Sequence, residues 1–353
     1  MKTNLSRVSA MLAIVSLTIA SAMAADHRDT FVVTSTNNAP GNELEVFKLS
    51  TTGTPSLTLV KSLPTGGNGG ASGNAGAVQF RDSFGAVVNY GSNNFTRLVR
   101  AENSIVTDGT VALAPHCTQP VSVALSDSHA LVLGANCAES HAWPWGHLDG
   151  GVVSLSDNSG AQIVSGRTWA ALTLKSGSVL QLPLERDGAL TGESSAVTLP
   201  SDANNTPLGA AFWGDTLGFN PAHSPDSFAL VDKAGDVFPV LGPQPAYPTN
   251  APCWLAKGPG NVWFTGNSPG QAVSIFFSDS QGGAFYKSVA VSGTPTDVSV
   301  SRDNRWLAVI YTASDGSGGR IAVFSIDSHG DISLAATSPA IGVPSFNGVA
   351  ISQ

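Results

Sequence analysis

The sequence predicts an all-β fold, a seven-bladed β-propeller of four-stranded antiparallel blades. Three observations carry this expectation: a recurring strand unit, its spacing, and a C-terminal strand that fits the one blade left incomplete. The unit is a small or polar lead-in, often with Pro, followed by five or six residues that alternate small and apolar. It reads most clearly at Asn250–Ala256 and returns at Asn74–Phe80, Gln119–Leu125, Thr206–Phe212, Thr294–Val300 and, more loosely, Ser345–Ile351. The lead-ins at 75, 120, 207, 252, 295 and 346 are separated by 45, 87, 45, 43 and 51 residues. A gap of 87 is close to two periods of about 44, which places a degenerate seventh copy near residue 164. Short strands repeating every 40–50 residues are the signature of propeller blades, and small residues suit the innermost strand because seven such strands crowd one axis.

Taken in order, Thr30–Thr36, Glu43–Leu49 and Leu57–Leu63 read as three strands, the first two joined by a turn at Asn37–Asn42. Gly348–Ser352 supplies the missing inner strand of this first blade, closing the ring and removing open edges. The Gly-rich segment 66–70 leads into a second blade containing Phe84–Tyr90 and Thr96–Arg100. The third blade holds the strand Ala130–Asn136 and then the largest irregularity, 137–151, rich in Trp and His, before Val152–Leu155. Thr168–Leu174 and Ser178–Leu184 belong to a fourth blade whose inner strand is poorly marked, so that blade is expected to be short. Asp215–Asn220 marks the fifth blade, Asn261–Asn267 and Ala272–Phe277 the sixth, and Arg305–Tyr311 and Gly319–Ile326 the seventh.

The N-terminus has a basic stretch, Met1–Arg7, an apolar run, Val8–Ala20, and a small-x-small pattern ending at Ala24. This reads as a secretory signal peptide of residues 1–24, too short and wrongly flanked for a stable membrane span. Residues 25–353 are then one propeller domain, periplasmic or secreted and monomeric. With 12% charged residues, a net charge of −8 and no basic cluster, the composition argues against nucleic acid or an anionic membrane surface as partner. There are three Cys. Cys117 precedes one inner strand and Cys137 ends the next predicted strand, so the two should share a face and form the preferred disulfide. Cys253 is left as a packed thiol.

The segments Thr36–Asn42, Val46–Phe47, Pro64–Gly67, Gln119–Ala124, Thr206–Phe212, Asn250–Trp254 and Ser301–Leu307 resemble the bacterial lactonase-family seven-bladed propellers, related to 6-phosphogluconolactonase-like and 3-carboxymuconate cyclase-like proteins. The likeness spans most of the chain after residue 24 and is weakest over 138–175. It implies a propeller fold and a reaction on a small lactone or organic acid, with polar and charged side chains on the channel face. The family's site residues do not map one by one onto this sequence.

Lactone hydrolysis or cyclisation needs an acid–base group and a stabiliser of the oxyanion. His116, His147 and His223 lie beside turns expected at the channel mouth, where a neutral-pH acid–base group is useful. Asp297 stands in an inner strand where other copies have small or apolar residues, and so serves as a base or a metal ligand, or else as a hydrogen-bonding partner of a neighbouring blade. Asn recurs at the ends of second strands, as at Asn89, Asn220 and Asn267, where it either supports tight turns or offers its amide to a ligand. Asn38, Asn250 and Trp254 complete the expected substrate-side set, with Trp143 and Trp145 as further pocket walls. No metal or cofactor signature is present: zinc-site spacings, calcium loops, phosphate loops and Gly-x-Ser-x-Gly elbows are all missing from the sequence. Two readings follow, an exported lactonase-like enzyme and a non-catalytic ligand- or protein-binding propeller of the cell envelope.

Overall fold

The computed structural model describes residues 29–144, 146–201, 203–223, 228–241, 251–279, 282–342 and 346–353. The proposed signal segment, Trp145 and Asn250 lie outside them. Seven blades follow one another around an axis. Their inner strands are Asn347–Ser352 (blade 1), Val78–Arg81 (2), Ser122–Leu125 (3), Gly160–Ser165 (4), Pro207–Trp213 (5), Pro252–Lys257 (6) and Gly293–Val300 (7). The expected seventh copy is thus Gly160–Ser165.

The ring closes as the sequence implies. Thr30–Ser35 pairs antiparallel with the C-terminal strand, Val33 opposite Ala350, and with Glu43–Ser50 on its other side. Ser56–Pro64 completes that blade. The seams on both sides of blade 1 are apolar: Val32, Phe47 and Val349 pack on Trp306, Ala308 and Ile310 of blade 7, and Phe31, Val33 and Val46 on Val78, Val87 and Leu98 of blade 2. Burying each large apolar side chain in such a seam is worth about 1.5–3 kcal/mol. The seam therefore holds by packing as well as by the ladder.

The lead-ins share a backbone device. Gln119, Thr206 and Ala251 have φ of 53°, 55° and 55°, each immediately before the Pro that leads into its inner strand. Register shifts follow between Pro207 and Ala210, Pro252 and Trp254, and Pro295 and Asp297, since Pro cannot donate to the ladder. The outer strands of blades 3 and 4 are only two residues long, Val153–Ser154 and Ser195–Ala196. Blades 5 and 6 are joined where Val240–Leu241 pairs in parallel with Gly283–Ala284.

One expectation about the third blade changes. The irregular stretch begins with a regular strand, Cys137–Ala142, and only the following residues form a loop. Its polar composition conceals the strand because Glu139 and His141 are buried as a pair: His141 Nε2 lies 2.8 Å from Glu139 Oε1, and the same carboxylate accepts the Ala114 N–H at 3.1 Å. His141 also packs edge-on against Phe95 of blade 2. Cys117 and Cys137 are disulfide-bonded with their Cα atoms 5.4 Å apart. Gly134 sits over that bridge, where a Cβ would lie 3.0 Å from both sulfurs.

Candidate functional site

Inner strands converge on the axis, so their inward-facing side chains decide what the channel offers. A cavity of about 280 Å3 lies there, bounded by Val123–Leu125, Gln162–Ser165, Ala210–Phe212, Leu255–Lys257, Asp297–Val300 and Gln79. These residues occupy the later part of their strands. The cavity is therefore displaced toward the end where the inner strands finish, not toward the lead-in end. At the lead-in end the segment 66–77 crosses from blade 1 toward blade 4: Gly70 N donates to Asn37 O at 3.0 Å, Asn74 Nδ2 to Gly160 O at 3.0 Å, and Lys175 Nζ to Ser72 O at 3.2 Å.

Four polar side chains, those of Gln79, Ser122, Gln162 and Asp297, meet around Gly76 beside the cavity. The Gly76 N–H donates to Asp297 Oδ2 at 3.1 Å. A Cβ on Gly76 would lie 3.0 Å from Ser122 Oγ, 3.2 Å from Gln162 Nε2 and 3.3 Å from Gln79 Nε2. The φ of +68° and this close approach both require glycine. Gln162 is oriented by its Oε1, which accepts the Ala210 N–H at 2.6 Å, so its amide nitrogen turns toward Gly76. Ser122 does the same one blade earlier, accepting the Ile163 N–H at 3.2 Å. A polar side chain at this inner-strand position thus reaches forward to the backbone of the next blade.

Asp297 follows that pattern across the closing seam. It is 4% exposed, and its Oδ1 accepts the Val298 N–H at 2.8 Å. Burial pushes its pKa up to about 7, against the backbone N–H groups of Gly76, Val298 and Val349, which favour the charged form. A carboxyl poised near neutrality can take or give a proton at physiological pH. Lys257 stands at the rim of the cavity, with its ammonium over the Trp213 and Trp263 rings at 5.1 and 5.3 Å. It donates to Gly258 O and Gly260 O, and burial pushes its pKa down to about 8.

The residues expected from sequence fall in different places. Asp297 lines the cavity; His116, His147 and His223 do not. All three are exposed on connecting turns. The carbonyl of His116 accepts Asn136 Nδ2 at 2.8 Å, and His223 Nδ1 lies 3.1 Å from Thr206 Oγ1. His147 follows the third strand of its blade, which puts it at the opposite end of the ring from His116. Asn89 is fully buried with its amide saturated: it accepts from Asn42 Nδ2 and Thr65 Oγ1 and donates to Asn94 Oδ1 and Thr96 Oγ1. Asn267 is likewise occupied by Thr265 and Ser274. Asn220 is fully buried, and its amide has no partner among the described residues. Asn38 lies half-buried in the 66–77 crossing, its carbonyl accepting the Gly69 N–H at 2.8 Å. Trp254 donates to Ser268 Oγ and Pro295 O within the packing between blades 6 and 7.

Gln79 and Gln162 were not singled out by sequence reasoning. The signal that marked Asp297 also marks them, since each interrupts the small and apolar alternation of an inner strand.

No protein-family model matches the chain, and no curated protein matches it by sequence. Solved structures match its fold. The periplasmic gluconolactonase PpgL of Pseudomonas aeruginosa superposes with a TM-score of 0.65 at 15% identity, over 92% of this chain and 99% of that one. A candidate 6-phosphogluconolactonase of Bacteroides uniformis gives 0.66 at 12% identity, over 91% and 99%. The hydrazine synthase of Kuenenia stuttgartiensis gives 0.59 at 13%, over 83% and 95%. At these identities the likeness is one of fold, which hosts different chemistries. The chain is a seven-bladed β-propeller of the architecture found in the bacterial gluconolactonase structures.

Proposed function

We propose that this protein is an exported lactonase-like enzyme that opens small, oxygen-rich lactones in its axial cavity. The observation that carries the reading is the convergence of the Asp297 carboxyl with the Gln79 and Gln162 amides around Gly76. The volume, about 280 Å3, suits one small ring. In hydrolysis, Asp297 as carboxylate takes a proton from water while the water oxygen bonds to the lactone carbonyl carbon. The carbonyl electrons move to oxygen, and the amide N–H groups of Gln79 and Gln162 donate to that oxyanion. Collapse breaks the ring C–O bond, and the Asp297 proton passes to the leaving oxygen, giving the hydroxy acid. The two gluconolactonase-like neighbours support aldonolactones as first substrates to assay.

The acid–base role rests on Asp297, with His116, His147 and His223 as comparison positions on the surface. A panel of aldonolactones, followed by acid release, tests the reading. Asp297→Asn is expected to lower kcat/KM by about 100-fold or more, and Gln79→Leu by about 10-fold or more, each with a folded β-sheet spectrum. His116→Ala, His147→Ala and His223→Ala should leave the rate unchanged. Lactone opening no faster than the spontaneous reaction would favour the alternative of a ligand-binding propeller, and full activity in Asp297→Asn would overturn the acid–base role given to Asp297. Export as a monomer with cleavage after Ala24 belongs to the same proposal, and N-terminal sequencing and sedimentation of the protein recovered from the periplasm or medium check it.

A further inference from the structure

Away from the axis, three loops of blades 3 and 4 meet at the end of the ring where the inner strands finish. His129 opens the second strand of blade 3, Asp149 lies in the loop after that blade's third strand, and Asp187 follows the third strand of blade 4. One donor atom from each of the three lies within 4.8 Å of the other two. Ligands bonded to one cation at about 2.1 Å are about 3.0–4.2 Å apart in tetrahedral or octahedral geometry, so the spacing suits a shared ion. We propose that His129, Asp149 and Asp187 form a binding site for a first-row divalent cation such as Zn2+ or Mn2+.

The placement of His129 supports this. The Ser128 hydroxyl donates to the Asp187 carbonyl, so toward His129 Nδ1, 3.0 Å away, it can only accept. Nε2 is therefore the ring nitrogen left to face the carboxylates. It lies 3.2 Å from Asp149 Oδ2. The ring is held for ligation: it is 3% exposed, and its second nitrogen is fixed by an outer partner, as is usual for metal-bound His. Asp149 and Asp187 are more open to solvent, which gives an ion its route of entry. Asp187 Oδ1 also accepts the Ala189 N–H at 3.1 Å, orienting the carboxylate. One imidazole with two carboxylates suits Zn2+ or Mn2+ better than softer ions, and three protein ligands leave a coordination position for water.

The site also explains a local irregularity. Gly150–Gly151 pairs in parallel with Leu190–Thr191, an exchange between blades beside Asp149 and Asp187. A shared ion would clamp these two loops together.

Calorimetric titration of the chelator-treated full chain with Zn2+ and with Mn2+ tests the proposal. One ion per chain is expected, with a rise in melting temperature. Asp187→Asn and His129→Gln are expected to weaken binding by about 10-fold or more and to lose the thermal shift. Asp187→Asn alters an exposed side chain and keeps the fold testable if His129→Gln does not fold. His223→Gln should bind as the parent does. Failure of both ions to bind stoichiometrically, or binding unaffected by Asp187→Asn, would overturn the proposal and leave His129 and Asp149 as a simple ion pair.

Discussion

Asp297→Asn tests the electrostatics of the axis without any substrate. In the folded chain, burial holds this carboxyl near pKa 7; in an unfolded chain the value is about 3.9. Between those values the folded state holds a proton that the unfolded state has released. Folding is therefore favoured on the acid side, and this contribution is lost as pH rises through 7. Each pH unit of the window is worth about 1.4 kcal/mol, so the parent loses about 4 kcal/mol from this group between about pH 4 and pH 7. The sign is opposite to that of Asp157, Asp315 and Asp327, whose hydrogen bonds hold their carboxyls below the ordinary range. Those groups stabilise above the unfolded pKa and lose that effect on acidification. They are common to parent and variant, so the difference between the two proteins isolates Asp297. Any constant cost of placing an amide beside the Gly76 N–H also drops out of the pH dependence. The assay is urea unfolding of both proteins at intervals from about pH 4 to pH 8. The variant should gain about 4 kcal/mol relative to the parent across that range. A difference that does not change with pH, or one that changes in the parent's favour, would refute the burial argument.

Two further outcomes follow from the third blade. Opening the Cys117–Cys137 bridge by Cys117→Ser with Cys137→Ser, which frees a sequence separation of 20 residues, should cost about 3 kcal/mol in denaturant unfolding. A loss below about 1 kcal/mol would mean that the Gly134 turn holds without the bridge. Glu139→Ala strands His141 and the Ala114 N–H in a buried site and should cost about 3–5 kcal/mol, whereas removing Glu139 and His141 together with apolar residues of similar volume should cost less. A double-mutant cycle measures that coupling.

The fold was legible because its period is long, regular and carried by residues that the axis crowds. The one copy placed by spacing alone, Gly160–Ser165, carries Gln162, which the channel rather than the repeat explains. The site was less legible because a single letter meets different fates. Asn89 and Asn267 end second strands, as expected, yet their amides are consumed by neighbours brought in by the fold. Histidines on turns suggested chemistry by residue type, but the cavity is built by inner strands, where Gln79, Gln162 and Asp297 break the small-residue rule. Which end of the ring holds the cavity depended on the 66–77 crossing, a tertiary contact with no local signature. The His129, Asp149 and Asp187 cluster was invisible for a similar reason, since its ligands come from one strand start and two loops with no shared spacing.

The placement of Asn347–Ser352 inside the first blade also governs how the chain reaches its native state. During synthesis, Thr30–Ser35 emerges among the first strands and waits for a partner more than 300 residues away. Until the last strand arrives, one edge of blade 1 is unpaired, and the facing surfaces of blades 7 and 2 stay open to water or to another chain. Asp297, which touches Gly76 and Val349 across this seam, can bury only at that final step. Circularisation is thus a late, chain-spanning event, and the slowest folding phase of the molecule should report the docking of its C-terminus.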